Sequence, residues 1–127
     1  MSKSLERGKI GESYVCEYLE NKGYQIICTN YHSRYGEIDI ICENDKYIVF
    51  VEVKTRKNFS FSRAIEAVNK SKRLKIIKTA LIYLSEINID KQPRFDVAEV
   101  LINSHGELVE ICYHENCFDV EELNAFF

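Results

Sequence analysis

Apolar residues recur along the chain at two spacings, and the change from one to the other divides it into elements. Residues 5–22 carry Val15, Tyr18, Leu19 and Lys22 at helical spacing after Gly11 and Glu12, and Gly23 is placed to cap the helix. Tyr24 to Thr29 reads as a short strand, and Asn30 to Gly36 as a polar turn. Ile38 to Cys42 and Tyr47 to Lys54 are two strands about the connection Glu43-Asn44-Asp45-Lys46, a β-hairpin. Lys57 to Phe61 reads as a loop, and Ser62 is placed to cap a short helical turn through Val68. Lys70 to Leu84 is a stronger helix, with Leu74, Ile77, Leu81 and Leu84 on one face. After Pro93 come strands Phe95 to Ile102 and Leu108 to Tyr113 about Asn103-Ser104-His105-Gly106, then a short tail helix ending at Phe126-Phe127. The order predicts an α/β fold, a mixed β-sheet flanked by helices in which the long helix carries a parallel crossover.

The register of the hairpin follows from the same pattern. With the turn centred between Asp45 and Lys46, Asp39 faces Glu52 and Glu37 faces Lys54. Residues opposite one another share a face of the sheet. One face then holds Ile38, Ile40 and Cys42 with Val49, Val51 and Val53, and is wholly apolar. The other begins at Ile41 and Phe50 and ends in Glu37, Asp39, Glu52 and Lys54. A slip of one residue would set Asp39 against Val51 or Val53 and bring charge into the apolar face.

Composition narrows the class. The 127 residues fit a single domain spanning 1–127, and the 46% apolar and 29% charged fractions are those of a globular protein. No apolar run approaches the ~18 residues of a bilayer span, and Met1 to Arg7 lacks the apolar core of a signal peptide. The five cysteines (Cys16, Cys28, Cys42, Cys112, Cys117) form no CxxC pair and read as reduced thiols, which together point to a cytoplasmic location. Cys112 and Cys117 bracket His114, but a pair of free thiols at a strand end explains them better than zinc does.

A net charge of −3 argues against a constitutive nucleic-acid binder until its distribution is considered. Between Lys54 and Lys78 lie nine Lys and Arg residues against the one acid Glu66. After Arg94 there is no Lys or Arg at all, and eight acids. The basic stretch, with Arg56, Lys70, Lys72, Arg73 and Lys75, is a candidate nucleic-acid surface; its bland alternative is the solvated face of an amphipathic helix.

The hairpin carries the candidate chemistry. Two adjacent carboxylates, Asp39 and Glu52, resist joint ionisation unless a cation lies between them, and Mg²⁺ suits a site of one or two carboxylates that also keeps waters and phosphate oxygens. Lys54, two residues on, reaches the same side and can stabilise developing negative charge or position a water. Glu37 supports the group. The plain structural alternative is an exposed strand end with weak ion pairs, and spacing alone gives the two readings roughly even weight. Glu12 tips the balance: it shares the helix face of Val15, Cys16 and Leu19, where a carboxylate needs a partner, and it reads as a further carboxylate aimed at the metal, against the plainer alternative of a helix-dipole acid. Gly8 and Gly11 beside it each cost a helix ~1 kcal/mol relative to Ala, a cost that close approach of helix and sheet would explain.

Arg7-Gly8, Gly11-Glu12, Tyr18-Leu19, Gly23-Tyr24, Gly36-Glu37-Ile38-Asp39, Phe50-Val51-Glu52-Val53-Lys54-Thr55-Arg56, Ala67-Val68, Lys72 and Arg94-Phe95-Asp96-Val97 follow one another in an order that is itself specific. On these pieces the chain resembles the YraN-like uncharacterised protein family, within the PD-(D/E)xK nuclease superfamily, and the resemblance spans nearly the whole chain. It implies a restriction-endonuclease-like core in which Asp39 and Glu52 are the metal acids, Lys54 the lysine and Glu12 the helical acid. Archaeal Holliday-junction resolvases are similar in this arrangement, which implies a DNA-cleaving ancestry. Ser62-Arg63 departs from the glycine-containing loop common after the motif.

The leading expectation is a Mg²⁺- or Mn²⁺-dependent DNA endonuclease acting on branched or single-stranded forms, with a homodimer as a further expectation. The alternative from another class is a non-catalytic nucleic-acid-binding or adaptor protein that keeps the nuclease fold. A weaker third reading is a protein-interaction module using the acidic C-terminal third.

Overall fold

The computed structural model describes residues 3–57 and 68–124, with side chains from Arg7 onward. The elements in chain order are α1 (Lys3–Asn21), β1 (Gln25–Ser33), β2 (Gly36–Glu43), β3 (Tyr47–Arg56), α2 (Lys70–Glu86), β4 (Gln92–Ile102), β5 (Leu108–Phe118) and α3 (Glu121–Asn124). The expected loop after Lys57, the helical turn begun by Ser62, and the phenylalanines at the tail fall outside the described residues.

The five strands form one mixed sheet in the order β1-β2-β3-β4-β5. Only β3 and β4 run parallel, joined by the crossover that carries α2; the other pairs are antiparallel. This is the α/β sheet flanked by helices expected from the pattern, and it is consistent with a nuclease-like core.

Both faces of the sheet are apolar, and each packs under one long helix. On the α1 side, Val15 and Leu19 cover Ile40, Cys42, Val49, Val51, Ala98 and Val100. On the α2 side, Ile76, Ile77 and Ala80 cover Ile41, Ile48, Phe50, Phe95 and Val97. Phe50, Phe95 and Phe118 stack in a row with centroids 5.3 and 5.1 Å apart.

Helix α1 ends as its glycine predicts. Gly23 adopts φ 94°, and Tyr24 N donates to Leu19 O at 3.0 Å, closing the last turn. Helix α2 begins at Asn69, whose Oδ1 accepts from Lys72 N at 2.9 Å.

Four expectations need correction. Residues 30–33 are strand, not turn: Tyr31 pairs with Ile38 and Ser33 with Gly36, so the bend is confined to Arg34-Tyr35. Their polar character comes from lying on an edge strand open to water. The buried stripe of α2 is Ile76, Ile77, Thr79 and Ala80, and Leu81 faces solvent. Ile38 packs on the α2 side with Ile41 and Phe50, not with Ile40. Gly8 has open space around it, so only Gly11 marks a close approach, against the Thr55 side chain.

Candidate functional site

The hairpin register is the one the pattern predicts, with Ile40 opposite Val51, Ile41 opposite Phe50 and Cys42 opposite Val49. The β2–β3 ladder stops at Ile40. Beyond it β2 and β3 part, while β2 stays paired with β1, and Ile38 packs on the α2 side. The Val53 N–H faces the opening, and Asp39 Oδ2 accepts it at 2.7 Å. The parting of the strands therefore builds the site, as a side chain replaces a lost backbone partner.

Asp39 and Glu52 meet in this opening. Glu52 is almost fully buried, with 3% exposure, and Asp39 is half-buried. Burial pushes the Asp39 carboxyl up to about 9, and the hydrogen bond and charge of Glu52 push the same way. Lys72, from the first turn of α2, brings Nζ to 2.6 Å from Glu52 Oε2. At that distance the ammonium takes up Glu52 Oε2 by hydrogen bond and by charge. Burial works to lower the Lys72 pKa, but the bond and charge of Glu52, with Asp39 and Lys54, outweigh it and the net shift is upward. Lys54 moves down, because of burial first and the neighbouring Lys72 ammonium next.

Asp39, Glu52 and Lys72, though not Lys54, border a cleft of about 430 Å³ lined by Gly36, Glu37, Asp39, Glu52, Asn69, Ser71, Lys72, Lys75 and Ile76. The start of α2 forms one wall, which brings its partial positive end and two lysines opposite the two acids. Glu37 lines the cleft but does not pair with Lys54 across the hairpin; its neighbour is His32 Nε2 at 3.8 Å.

Glu12 lies within electrostatic range of Glu37, Glu52 and Asp39. Its carboxyl is raised, by burial foremost, against a hydrogen bond with Asn30 that lowers it. The cavity it lines, between α1 and β1, is a different one, shared with Lys9, Ser13, Cys16 and Asn30.

A divalent cation fits the cleft on chemical grounds. Asp39 and Glu52 cannot comfortably ionise together, with the half-exposed Lys72 ammonium as the ion-pair partner of Glu52, and Mg²⁺ needs no more than two protein carboxylates. Among the described residues no group of three or more His, Cys, Asp or Glu side chains is arranged as a metal cage.

The cationic run divides once it folds. Lys72 enters the acid pair and Lys75 lines the cleft. Lys70 stands exposed at the start of α2. Arg73 is tied into the fold, with Nε 2.9 Å from Glu122 Oε2 and Nη1 donating to Val68 O, so it holds α3 and the residue before the α2 cap. Arg56 Nε lies 3.8 Å from Glu99 Oε2.

Glu99 was not singled out from sequence. It is fully buried beside Lys54 in the β3–β4 register, with His114 Nε2 3.7 Å away on its other side. The available signal was an acid inside the run Val97-Ala98-Glu99-Val100-Leu101-Ile102, a place where a carboxylate needs a reason.

The model of the uncharacterised protein family UPF0102 matches residues 11–100, the span from the α1 glycine into β4. A UPF0102 protein of Alkaliphilus metalliredigens is 46% identical over 121 residues, 93% of this chain and all of the relative. One from a Sulfurihydrogenibium species is 44% identical over 117 residues, covering 91% and 96%. One from Clostridium acetobutylicum is 40% identical over 114 residues, covering 89% and 93%. With the acid pair, its lysines, the β2–β3 hairpin, α2 and all but the last two residues of β4 inside the matched span, the chain belongs to the UPF0102 (YraN) family.

Proposed function

We propose that this protein is a Mg²⁺- or Mn²⁺-dependent phosphodiesterase, an endonuclease acting on branched or single-stranded DNA. The observation that carries the proposal is the meeting of Asp39 and Glu52 in a cleft whose opposite wall is Lys72, Lys75 and the start of α2. Acids to hold a cation and cations to hold an anion are the two needs of phosphodiester hydrolysis, and here they face one another. The resemblance to PD-(D/E)xK nucleases agrees with this division of labour.

Asp39 and Glu52 would hold the metal, with Glu12 reinforcing the negative field from α1. A divalent ion held there would supply Lewis-acid activation of the phosphoryl oxygen and of a water nucleophile. Glu52, held at one oxygen by Lys72, lies where its carboxylate can orient the attacking water. Lys54 is partly desolvated with a lowered pKa; it stabilises charge on the phosphoryl oxygens and is readier than an ordinary lysine to give up a proton. Lys75, at the cleft wall, holds the phosphate, and Lys70 extends the basic surface beyond it.

One observation favours a second reading. The Lys72 ammonium already neutralises Glu52, so the acid pair is tolerable without metal, as a non-catalytic nucleic-acid-binding protein would need. One experiment decides between the two. Purified protein is incubated with duplex, single-stranded, flap and four-way-junction DNA in Mg²⁺, Mn²⁺ or EDTA, beside Glu52→Ala. Metal-dependent cleavage that Glu52→Ala abolishes supports the enzyme. Binding without cleavage on every substrate supports the adaptor and rejects the enzyme.

A further inference from the structure

Beyond the end of β3 lies a second cavity, of about 230 Å³, which the acid site does not use. Arg7 and Ile10 of α1, Lys57, Ile102 at the end of β4, and Ser104, His105 and Gly106 of the β4–β5 turn line it. The turn is seated on α1 by Tyr14, whose hydroxyl donates to Gly106 O at 3.0 Å. Two permanent cations and an imidazole thus surround one hollow, and among the described residues none that lines it is an acid. The Arg7 Nε is shut off from solvent without a hydrogen-bond partner. The Arg7 guanidinium and the Lys57 ammonium both line the hollow, and an anion there would pair with the two charges. Ser104 and His105 offer further donors. Ile10 and Ile102 add an apolar wall, a surface for a sugar or a base and of no use to a bare inorganic ion.

We infer that this hollow is a second phosphate-binding subsite, which takes a backbone phosphate of the DNA strand flanking the one held at the acid cleft. The inference rests on the phosphodiesterase reading and deepens it by fixing the substrate as a polynucleotide. Lys57 is five residues beyond Glu52, ~17 Å along an extended strand. A mononucleotide cannot span that distance, whereas a strand running from the cleft along the end of β3 reaches both places. Gly11, pressed against Thr55, holds α1 close to β3 and so sets Arg7 beside Lys57.

The test compares wild type with Arg7→Gln/Lys57→Gln in fluorescence-anisotropy titrations of a labelled 16-nucleotide oligothymidylate. Ca²⁺ replaces Mg²⁺ and the salt concentration is varied. A control of equal charge, Lys22→Gln/Lys46→Gln, removes two exposed lysines from the other end of the molecule. Loss of two single-strand phosphate contacts lowers the slope of log affinity against log salt by roughly 1.4, at about 0.7 per contact. That fall is expected in the subsite variant and absent from the control, with Mn²⁺ affinity by calorimetry unchanged in both. Lys57→Gln alone alters one exposed side chain, cannot unfold the protein, and should lower the slope by about half as much. Equal slopes in the subsite variant and the control overturn the subsite and leave the nuclease reading standing. Absence of oligonucleotide binding by the wild type overturns both.

Discussion

Besides Glu99, the sheet buries acids in two clusters on opposite faces, and they are solved in opposite ways. On the α1 face, Asp96 is fully buried yet saturated: Arg94 Nε and Nη2 donate at 3.0 and 2.8 Å, Tyr113 OH at 2.6 Å and Asn116 N at 2.9 Å. Arg94 is in turn enclosed by the rings of Tyr47 and Tyr24, with Tyr24 OH accepting from Nη2 at 2.7 Å. The Tyr113 hydroxyl is pushed upward by burial and by Asp96, so it remains a donor. On the α2 face, Asp39 and Glu52 share one backbone donor and one exposed lysine, and Asp39 is driven toward its neutral form. A cluster that meets all its own needs is structural. One left short of positive charge is built to take it from outside.

The largest effect should come from breaking the saturated cluster. Asp96→Ala leaves a buried guanidinium without its carboxylate, and such a loss costs about 3–5 kcal/mol. Urea denaturation should show the variant close to unfolded at room temperature. A loss under 1 kcal/mol would mean that the two clusters do not differ in kind.

The same change in the deficient cluster should have the opposite sign. Asp39→Asn removes a charge the fold resists, so the metal-free protein should be as stable as wild type or more so. Mn²⁺ affinity measured by calorimetry should nevertheless fall by more than about 100-fold, because loss of an outer partner alone costs ~10–100-fold. The pH dependence has a definite direction. The folded state holds the Asp39 proton up to about 9, whereas the unfolded chain releases it near 3.8, so the folded state binds more protons in between. Its contribution is therefore complete below pH 3.8 and is lost as pH rises toward 9. The stability of wild type in EDTA, measured relative to Asp39→Asn, should decline across that window. A flat difference would remove the strain assigned to the pair.

Much of this was legible in the chain. The β2–β3 register could be read because one slip would have put Asp39 in the apolar face, and the C-cap because Gly23 is the residue that tolerates φ 94°. The face of Ile38 was hidden: the pattern set it with Ile40, and it packs on the α2 side with Ile41 and Phe50. Lys72 stood out as one piece of the family resemblance as well as one cation of a basic run, but neither gave it a place in the acid pair. Which lysine of that run enters the pair depends on the rotation of α2 over the sheet, and that is set by Ile76, Ile77 and Ala80 packing, not by charge. Charge and periodicity alone did not separate Arg73 from Lys72, yet Arg73 turns toward Glu122.

A smaller effect should come from the helix that covers the saturated face and carries Glu12 toward the deficient one. At Gly11 an added methyl would collide with Thr55 Oγ1, while at Gly8 it meets open space. Gly11→Ala should cost about 1–3 kcal/mol through overpacking. Gly8→Ala should stabilise by up to ~1 kcal/mol through helix propensity. Thermal melts of both variants test whether α1 is held at one residue; equal shifts would show that it is not.

The smallest effect, and the sharpest on the comparison, belongs to Lys72. Its side chain is 45% exposed, so the ion pair with Glu52 is screened and is worth ~0.2–1 kcal/mol, far less than the Arg94–Asp96 pair. Lys72→Met should therefore barely lower the stability of the metal-free protein. Metal binding should respond in the other direction. A cation entering beside Glu52 no longer has to displace or repel the ammonium, so Mn²⁺ should bind a few-fold more tightly, the gain expected from ~1 kcal/mol at most. DNA affinity in Ca²⁺ should fall, because the ammonium faces the same cleft as Lys75. Weaker Mn²⁺ binding in Lys72→Met would show that the ammonium supports the acid pair as Arg94 supports Asp96. The contrast between the two clusters would then be one of degree.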